Sequence, residues 1–117
     1  MPHPIVHFEV PADDVERAKA FYEQLLGWDI QPLEGGYHLI GTGEEPGGGM
    51  MQRQAPEQGI TVYIGVESVD DYVKKAEGLG ATVVVPKMPV PGMGYFAQLL
   101  DTEGNVFALW EASEQAS

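Results

Sequence analysis

The spacing of hydrophobic and polar positions changes at regular intervals along the chain, and each spacing predicts an element. From Ile5 to Val10 apolar and polar residues alternate, which is typical of a strand with one buried face. Residues 11–12 should end that strand, and Asp13 with Glu16 three positions later predicts a capped helix start. Apolar residues then recur every three or four positions up to Gly27, which indicates an amphipathic helix.

Three short extended segments follow this helix, and the same order of elements then repeats. A second helix is predicted between Ser68, with Asp71 three positions later, and Gly80. The strands predicted after the first one are Trp28–Leu33, Tyr37–Thr42, Met50–Gln54, Ile60–Val66, Ala81–Val85, Tyr95–Leu100 and Val106–Trp110. The pattern therefore predicts the order βαβββ twice.

The two repeats divide one domain of residues 1–117 into modules of about 3–56 and 57–112, followed by a frayed tail at 113–117. Each module is too small to bury a core well alone, so each needs a partner within the chain or in a second chain. The predicted fold class is α+β, with two βαβββ modules in tandem whose curved antiparallel sheets surround a concave cavity. Such a cavity is where a small molecule would bind.

Charge and composition exclude several classes of binding partner and several kinds of chemistry. The chain has 6 Lys plus Arg against 18 Asp plus Glu, a net charge of −12, so nucleic acid and anionic membrane surfaces are not expected as partners. With no cysteine, the chain can form no disulfide, thiolate metal site or cysteine nucleophile. The N-terminus lacks the pattern of a signal peptide, and no apolar run in the sequence is long enough to span a membrane. We therefore expect a cytoplasmic protein.

Four stretches of the sequence resemble the vicinal oxygen chelate superfamily, which includes glyoxalase I, bleomycin-resistance proteins and extradiol dioxygenases. They are Val-His-Phe-Glu-Val-Pro-Ala-Asp-Asp at 6–14, the helix segment ending in Leu-Gly-Trp at 18–28, Val-Pro-Lys to Pro-Gly-Met-Gly at 85–94, and Asp-Thr-Glu-Gly-Asn-Val-Phe at 101–107. The third stretch is similar to the branch described as lactoylglutathione lyase-related. The resemblance implies a glyoxalase-like fold and a homodimer, but it does not fix an activity.

The resemblance also implies four cavity-facing positions that hold a divalent metal in the metal-dependent members. Here those positions are His7, Gln52, Tyr63 and Ala108, and alanine cannot bind a metal. Glu111 lies three residues after Ala108, so strand alternation turns it to the opposite face. We therefore predict no tightly bound catalytic metal. The alternative is a divalent-metal-dependent lyase or dioxygenase of the same superfamily that uses His7.

Strand alternation predicts which side chains line the cavity and could act on a ligand. The predicted ligand-binding residues are His7, Glu9, Gln52, Tyr63 and Trp110. Glu9 could act as a base, with His7 or Tyr63 donating a hydrogen bond to a developing oxyanion. Equally, His7 and Glu9 could be only a hydrogen-bonded polar pair.

A binding protein without turnover fits the same residues. Trp110 and Tyr63 could stack on a ligand, while Glu9 and the acidic surface would attract positive charge, as in stoichiometric sequestration of a cationic or aromatic antibiotic. A regulatory or structural dimer with a vestigial pocket is the third hypothesis. The sequence thus predicts a protein that binds or converts an unidentified small organic molecule.

Overall fold

The order strand, helix and three strands occurs twice, as predicted, in a computed structural model that describes residues 2–117. The chain divides into an N-terminal unit, Val6–Val62, and a C-terminal unit of residues 2–5 and 63–117. The elements are β1 (Ile5–Ala12), α1 (Val15–Leu26), β2 (Asp29–Pro32), a 3₁₀ turn (Glu34–Gly36), β3 (His38–Gly41), β4 (Gly48–Gln52), β5 (Thr61–Gly65), α2 (Val69–Gly78), β6 (Thr82–Val90), β7 (Gly94–Leu100) and β8 (Val106–Ala112). No helix among the described residues is both long and apolar enough to cross a membrane.

Each unit contains a four-stranded sheet with one parallel pair. The strand order is β2-β3-β4-β1 in the N-terminal unit and β5-β8-β7-β6 in the C-terminal unit. β1 pairs with β4 in parallel, β5 pairs with β8 in parallel, and the other pairs with a defined register are antiparallel. The sheets predicted as antiparallel therefore each contain one parallel pair. The helix and two antiparallel hairpins reverse the chain four times, so the last strand of a module runs in the direction of its first.

One face of the N-terminal sheet packs against α1. Val10, Ile30, Ile40 and Met50 form the buried cluster, and apolar residues of α1 cover it. The helix begins after Asp14, whose Oδ1 accepts a hydrogen bond from the Arg17 backbone N–H at 3.0 Å. The predicted cap, Asp13, is thus one residue too early. The helix ends at Gly27, where φ of +71° is a conformation that glycine adopts without strain.

The C-terminal sheet packs against α2 in the same manner. Val69, Leu99 and Leu109 are buried in its core, and Tyr72 and Val73 of the helix pack against them. Ser68 caps α2 as predicted, since its Oγ accepts a hydrogen bond from the Asp71 backbone N–H. Both sheets therefore have one face covered by a helix within their own unit.

Two strands and the C-terminal tail are more extensively ordered than predicted. β1 continues through Pro11 to Ala12 because it pairs with β4 as far as Gln52. β6 continues through its prolines to Val90 and remains paired with β7, so residues 86–90 form part of an edge strand. The tail is not frayed: Ala116 is buried, and its carbonyl accepts a hydrogen bond from the Gly92 N–H at 2.9 Å.

The residues that precede β1 form hydrogen bonds with α2 and β5. The Pro4 carbonyl accepts a hydrogen bond from the Gly65 N–H at 3.0 Å. His3 contacts the Tyr72 hydroxyl through Nε2 at 2.9 Å and a Glu67 carboxylate oxygen through Nδ1 at 3.3 Å. These contacts assign residues 2–5 to the C-terminal unit.

Candidate functional site

β1 presents His7 and Glu9 on the face of the N-terminal sheet that α1 does not cover. Phe8 and Val10 between and beside them belong to the core under α1, so alternation turns the two polar residues to the open face. Both are partly buried. Both side chains have the orientation that strand alternation predicted, and we take this open face as the candidate site.

Tyr37 joins His7 to Glu9. Its hydroxyl lies 2.8 Å from His7 Nε2 and donates a hydrogen bond to Glu9 Oε2 at 3.1 Å. Tyr37 immediately precedes β3, and its ring lies over Gly49 of β4, where a Cβ atom would overlap the phenol. Glycine at this position therefore creates the space in which the phenol reaches β1.

The hydrogen bonds have a defined direction. A hydroxyl has a single proton, and that of Tyr37 is donated to the Glu9 carboxylate. His7 must then donate from Nε2–H to the Tyr37 oxygen, which assigns the proton of the neutral imidazole to Nε2. The three side chains form one continuous chain from imidazole through phenol to carboxylate.

Burial and charge act in opposite directions on His7. Burial lowers the pKa of His7 below its ordinary value of 6.5, and the nearby Glu9 carboxylate offsets part of that effect. The net shift is downward, so the imidazole is neutral at pH 7. The neutral imidazole with its proton on Nε2 makes the hydrogen bond to Tyr37.

Gln52 does not share this face, which corrects the predicted ligand set. In the parallel register Glu9 pairs with Gly49, while Gln52 pairs with Ala12 and so has the orientation of Val10. The Gln52 Nε2 donates to the Asp13 carbonyl at 2.9 Å. The prediction was one residue out of phase, since Met51, which pairs with Pro11, has the orientation of Glu9.

The face of the C-terminal sheet that α2 does not cover carries the aromatic residues Tyr63, Phe96 and Trp110. Tyr63 is only 6% exposed, pairs with Ala108, and lies 6.3 Å from Phe96 between ring centroids. Trp110 pairs with Phe96, and its ring occupies the space over Gly94, 2.6 Å from where a Cβ would be. Tyr63 and Trp110 remain predicted ligand contacts, and their surroundings are those of packing residues.

Glu111 serves α2. Its Oε1 accepts a hydrogen bond from the Val69 backbone N–H at 2.9 Å, at the first turn of the helix. The carboxylate therefore lies on the helix side of β8, opposite to the face of Ala108 and Trp110, as alternation predicted. It binds a free helix donor instead of facing a ligand.

These side chains do not fit the divalent metal that the resemblance implies. Ala108 has no ligand atom, Tyr63 offers a neutral phenol, and the side chains of Gln52 and Glu111 are bound elsewhere. Among residues 2–117, no group of three or more His, Cys, Asp or Glu side chains could hold a metal ion. The chemistry available on the open face is therefore that of His7, Tyr37 and Glu9.

Tyr37 is the site residue that the sequence analysis missed. It was assigned as the first residue of a strand, and nothing in its local sequence distinguishes it from a packing residue. A glycine inside a strand often marks the close approach of another group, but Gly49 precedes the strand predicted at Met50–Gln54 and was found inside β4 only in the structure. Finding its partner required the register of β3 and β4.

Known sequences match the chain over different shares of its length. Residues 4–43 match the family model described as bleomycin resistance protein-like N-terminal. A glyoxylase-like domain-containing protein of Didymella fabae is 32% identical over 115 residues, which cover 86% of this chain and 88% of that protein. A protein of Mycobacterium tuberculosis, provisionally named glyoxylase CFP32, is 29% identical over 115 residues, which cover 92% of this chain but 43% of that protein. The chain thus spans less than half of the mycobacterial relative.

Solved structures confirm the fold class. A glyoxalase/bleomycin resistance/dioxygenase superfamily member from Vibrio splendidus matches with a TM-score of 0.69 at 11% sequence identity. The match covers 96% of this chain and 100% of that one. At this identity the likeness is one of fold.

Proposed function

The chain belongs to the glyoxalase and bleomycin-resistance, or vicinal oxygen chelate, superfamily, and from this premise we propose that it binds and converts a small organic molecule by proton transfer. The reaction takes place on the open face of the N-terminal sheet. The observation that supports this proposal is the continuous hydrogen-bonded chain from His7 through Tyr37 to Glu9. A carboxylate held beside a hydroxyl and a neutral imidazole is a set of groups suited to general acid–base catalysis.

The chemical step is removal of a proton from carbon next to a carbonyl group. The Glu9 carboxylate takes the proton, the C–H electron pair forms the new C=C bond, and the carbonyl π electrons move onto oxygen to give an enolate. Protonated Glu9 then donates a hydrogen bond to Tyr37 instead of accepting one. The Tyr37 O–H becomes available to the enolate oxygen, while His7 Nε2–H continues to donate to Tyr37. Return of the proton to carbon or to oxygen completes the step and restores Glu9.

Deuterium exchange tests this proposal without knowledge of the natural substrate. The protein is incubated in D₂O with a panel of α-hydroxy ketones, 1,3-dicarbonyl compounds and 2-substituted thioesters, and loss of the α-proton signal is followed by ¹H NMR. We expect exchange of at least one class above the buffer rate. Glu9→Gln should lower this rate by 10²- to 10⁴-fold, and Tyr37→Phe by a smaller factor. Glu57→Gln, an exposed carboxylate of the same unit, is the matched control.

Stoichiometric sequestration is the second candidate, and it makes a different prediction from the same variants. A binding protein would hold its ligand unchanged, with one ligand per chain and no exchange in D₂O. Absence of exchange across the panel, together with saturable binding of a panel member, would favour sequestration over proton transfer. Exchange that survives in Glu9→Gln would contradict the assignment of Glu9 as the base.

A further inference from the structure

The open face of the N-terminal sheet continues past Glu9 along β1 and β4, and its next two residues are apolar. In the parallel register Glu9 pairs with Gly49, and the next pair of the same orientation is Pro11 with Met51. Met50 belongs to the core under α1, so alternation turns Met51 to the open face. Pro11 is buried and Met51 is half-buried. Along the strands, the Glu9 carboxylate is therefore followed by an apolar pair, Pro11 and Met51.

The apolar pair lies close enough to Glu9 for one small molecule to contact both. Two residues of strand span about 6.6 Å and neighbouring strands lie about 4.8 Å apart, so the Cα atoms of Glu9 and Met51 are roughly 8 Å apart. Gly49 adds no side chain between them, and the Tyr37 ring that lies over this glycine forms another side of the same space. The methionine side chain is unbranched and flexible, so it adapts to groups of different shape.

Arg53 ends the apolar stretch. Its backbone N–H donates to the Ala12 carbonyl at 2.9 Å, which continues the pairing of β4 with β1 by one residue. Its guanidinium donates to Asp13 Oδ1 at 2.9 Å and to the Pro11 carbonyl at 3.5 Å, and also to the Gln58 carbonyl. These bonds hold the side chain in place. The apolar stretch is therefore limited to about two residues of strand, or roughly 7 Å.

We propose that Pro11 and Met51 bind an uncharged apolar substituent on the carbon from which Glu9 removes the proton, and that Met51 determines which substituents are accepted. The inference rests on the proposed function, since it names the class of substrate for the same site. That class is a carbonyl compound whose α-carbon carries a short alkyl group. A stretch of roughly 7 Å accommodates an extended chain of about four carbon atoms. A longer chain meets Arg53.

A homologous series of 3-alkylpentane-2,4-diones, from methyl to hexyl, tests the size limit with the full chain. The carbon that carries the substituent has one exchangeable proton, and loss of its ¹H NMR signal in D₂O reports the reaction of each member. We expect kcat/KM for exchange to rise about twofold per added carbon up to butyl, and not to rise from butyl to hexyl. The 3-hydroxypropyl compound has the length of the butyl compound and should react about fivefold more slowly.

Methionine methyl groups give a measurement that does not depend on turnover. The chain is labelled with [methyl-¹³C]methionine, and the Met51 signal is assigned by its absence in Met51→Leu. The butyl compound should shift the Met51 signal saturably. The signal of Met50, which is 0% exposed and lies under α1, is the internal control and should not move.

Substitution of Met51 tests its role in selecting the substituent. We expect the butyl-to-methyl ratio of kcat/KM to be about eight in the natural chain and about two in Met51→Ala. Met51→Leu should restore most of the ratio. Met88→Ala, at a methionine of β6 that is 45% exposed, is the matched control. The ratio is taken within one variant, so partial loss of folded protein cancels. An unchanged ratio in Met51→Ala would overturn the proposal.

The two measurements distinguish failure of this inference from failure of the proposed reaction. A shift of the Met51 signal without exchange of any member would support binding at the apolar pair and contradict proton transfer. Exchange that is lost in Glu9→Gln, but is independent of substituent length and of Met51, would support the reaction and contradict the inference. Absence of both the shift and the exchange would contradict both.

Discussion

The two sheets share one topology but present different chemistry on their open faces. In the N-terminal sheet, imidazole, phenol and carboxylate form one hydrogen-bonded chain. The corresponding face of the C-terminal sheet instead carries Tyr63, Ala108 and Trp110, and Tyr63 lies 6.3 Å from Phe96 between ring centroids. A repeated fold therefore need not repeat its site. The first sheet has kept groups that can move protons, whereas the second presents shape and aromatic surface.

One feature is common to both faces: an aromatic ring lies over a glycine. Tyr37 covers Gly49 in the N-terminal sheet, and Trp110 covers Gly94 in the C-terminal sheet. The obstacles to a side chain differ, however. At Gly49 the conflict is with the end of a Tyr side chain, whereas at Gly94 it includes the Glu111 backbone carbonyl. A ring can turn away, but a paired strand cannot move without losing hydrogen bonds.

Replacing Gly49 and Gly94 with alanine, one at a time, should give the largest changes in stability and test this contrast. We expect Gly94→Ala to lower the free energy of unfolding by about 3 kcal/mol, because strand backbone must shift. Gly49→Ala should cost about 1–2 kcal/mol but remove deuterium exchange, because Tyr37 must leave His7 and Glu9. Urea denaturation measures both. Gly59→Ala is the control, since a Cβ there meets nothing within 4 Å. Equal losses of unfolding free energy in Gly49→Ala and Gly94→Ala would contradict this distinction.

Glu111→Gln tests a role that only the C-terminal unit has, a strand carboxylate bound to a helix N-terminus. The carboxylate accepts from Val69 N–H, and loss of its charge should lower the free energy of unfolding by about 1 kcal/mol. Glu114→Gln, in an exposed position of the tail, is the control. An unchanged stability for Glu111→Gln in thermal or urea unfolding would show that this contact contributes nothing.

The smallest effect concerns the titration of His7 in the N-terminal unit. Folding lowers the pKa of His7 below its ordinary value of 6.5. Between the pKa of the folded chain and that of the unfolded chain, the unfolded chain therefore binds more protons. Stability from this residue is therefore complete above pH 6.5 and is lost as pH falls below it. Unfolding between pH 7.5 and 5.5 should show a shallower loss for His7→Gln than for the natural chain. Parallel curves would argue against a neutral, partly buried imidazole.

Sequence reasoning located most elements because their signals are local. Alternation at Ile5–Val10, the cap at Ser68 and the glycine at 27 each depend on a few neighbouring residues, and each prediction was confirmed. The superfamily was also identified from short stretches. The relative direction of the strands was harder to predict, because the pairing of β1 with β4 depends on how many times the chain reverses direction between them.

Site prediction was limited by register. Alternation turned His7, Glu9 and Glu111 to the correct faces because β1 and β8 are long regular strands. Gln52 was misplaced because its position came from the resemblance, and an error of one residue turns a strand side chain to the opposite face. Tyr37 could not be found at all, since its role depends on a space above a residue twelve positions away.

The attachment of residues 2–5 to α2 and β5 has a consequence for dividing the protein. The N-terminal half is one uninterrupted stretch of polypeptide, whereas the C-terminal half is split, because the covalent chain passes between the halves at Ile5–Val6 and again at Val62–Tyr63. A gene truncated to codons 63–117 would encode a half that lacks the Pro4 carbonyl and the His3 ring that its own helix and strand engage. Intact halves are better obtained from a circular permutant that joins Ser117 to residue 2 and opens the chain at Ile5–Val6.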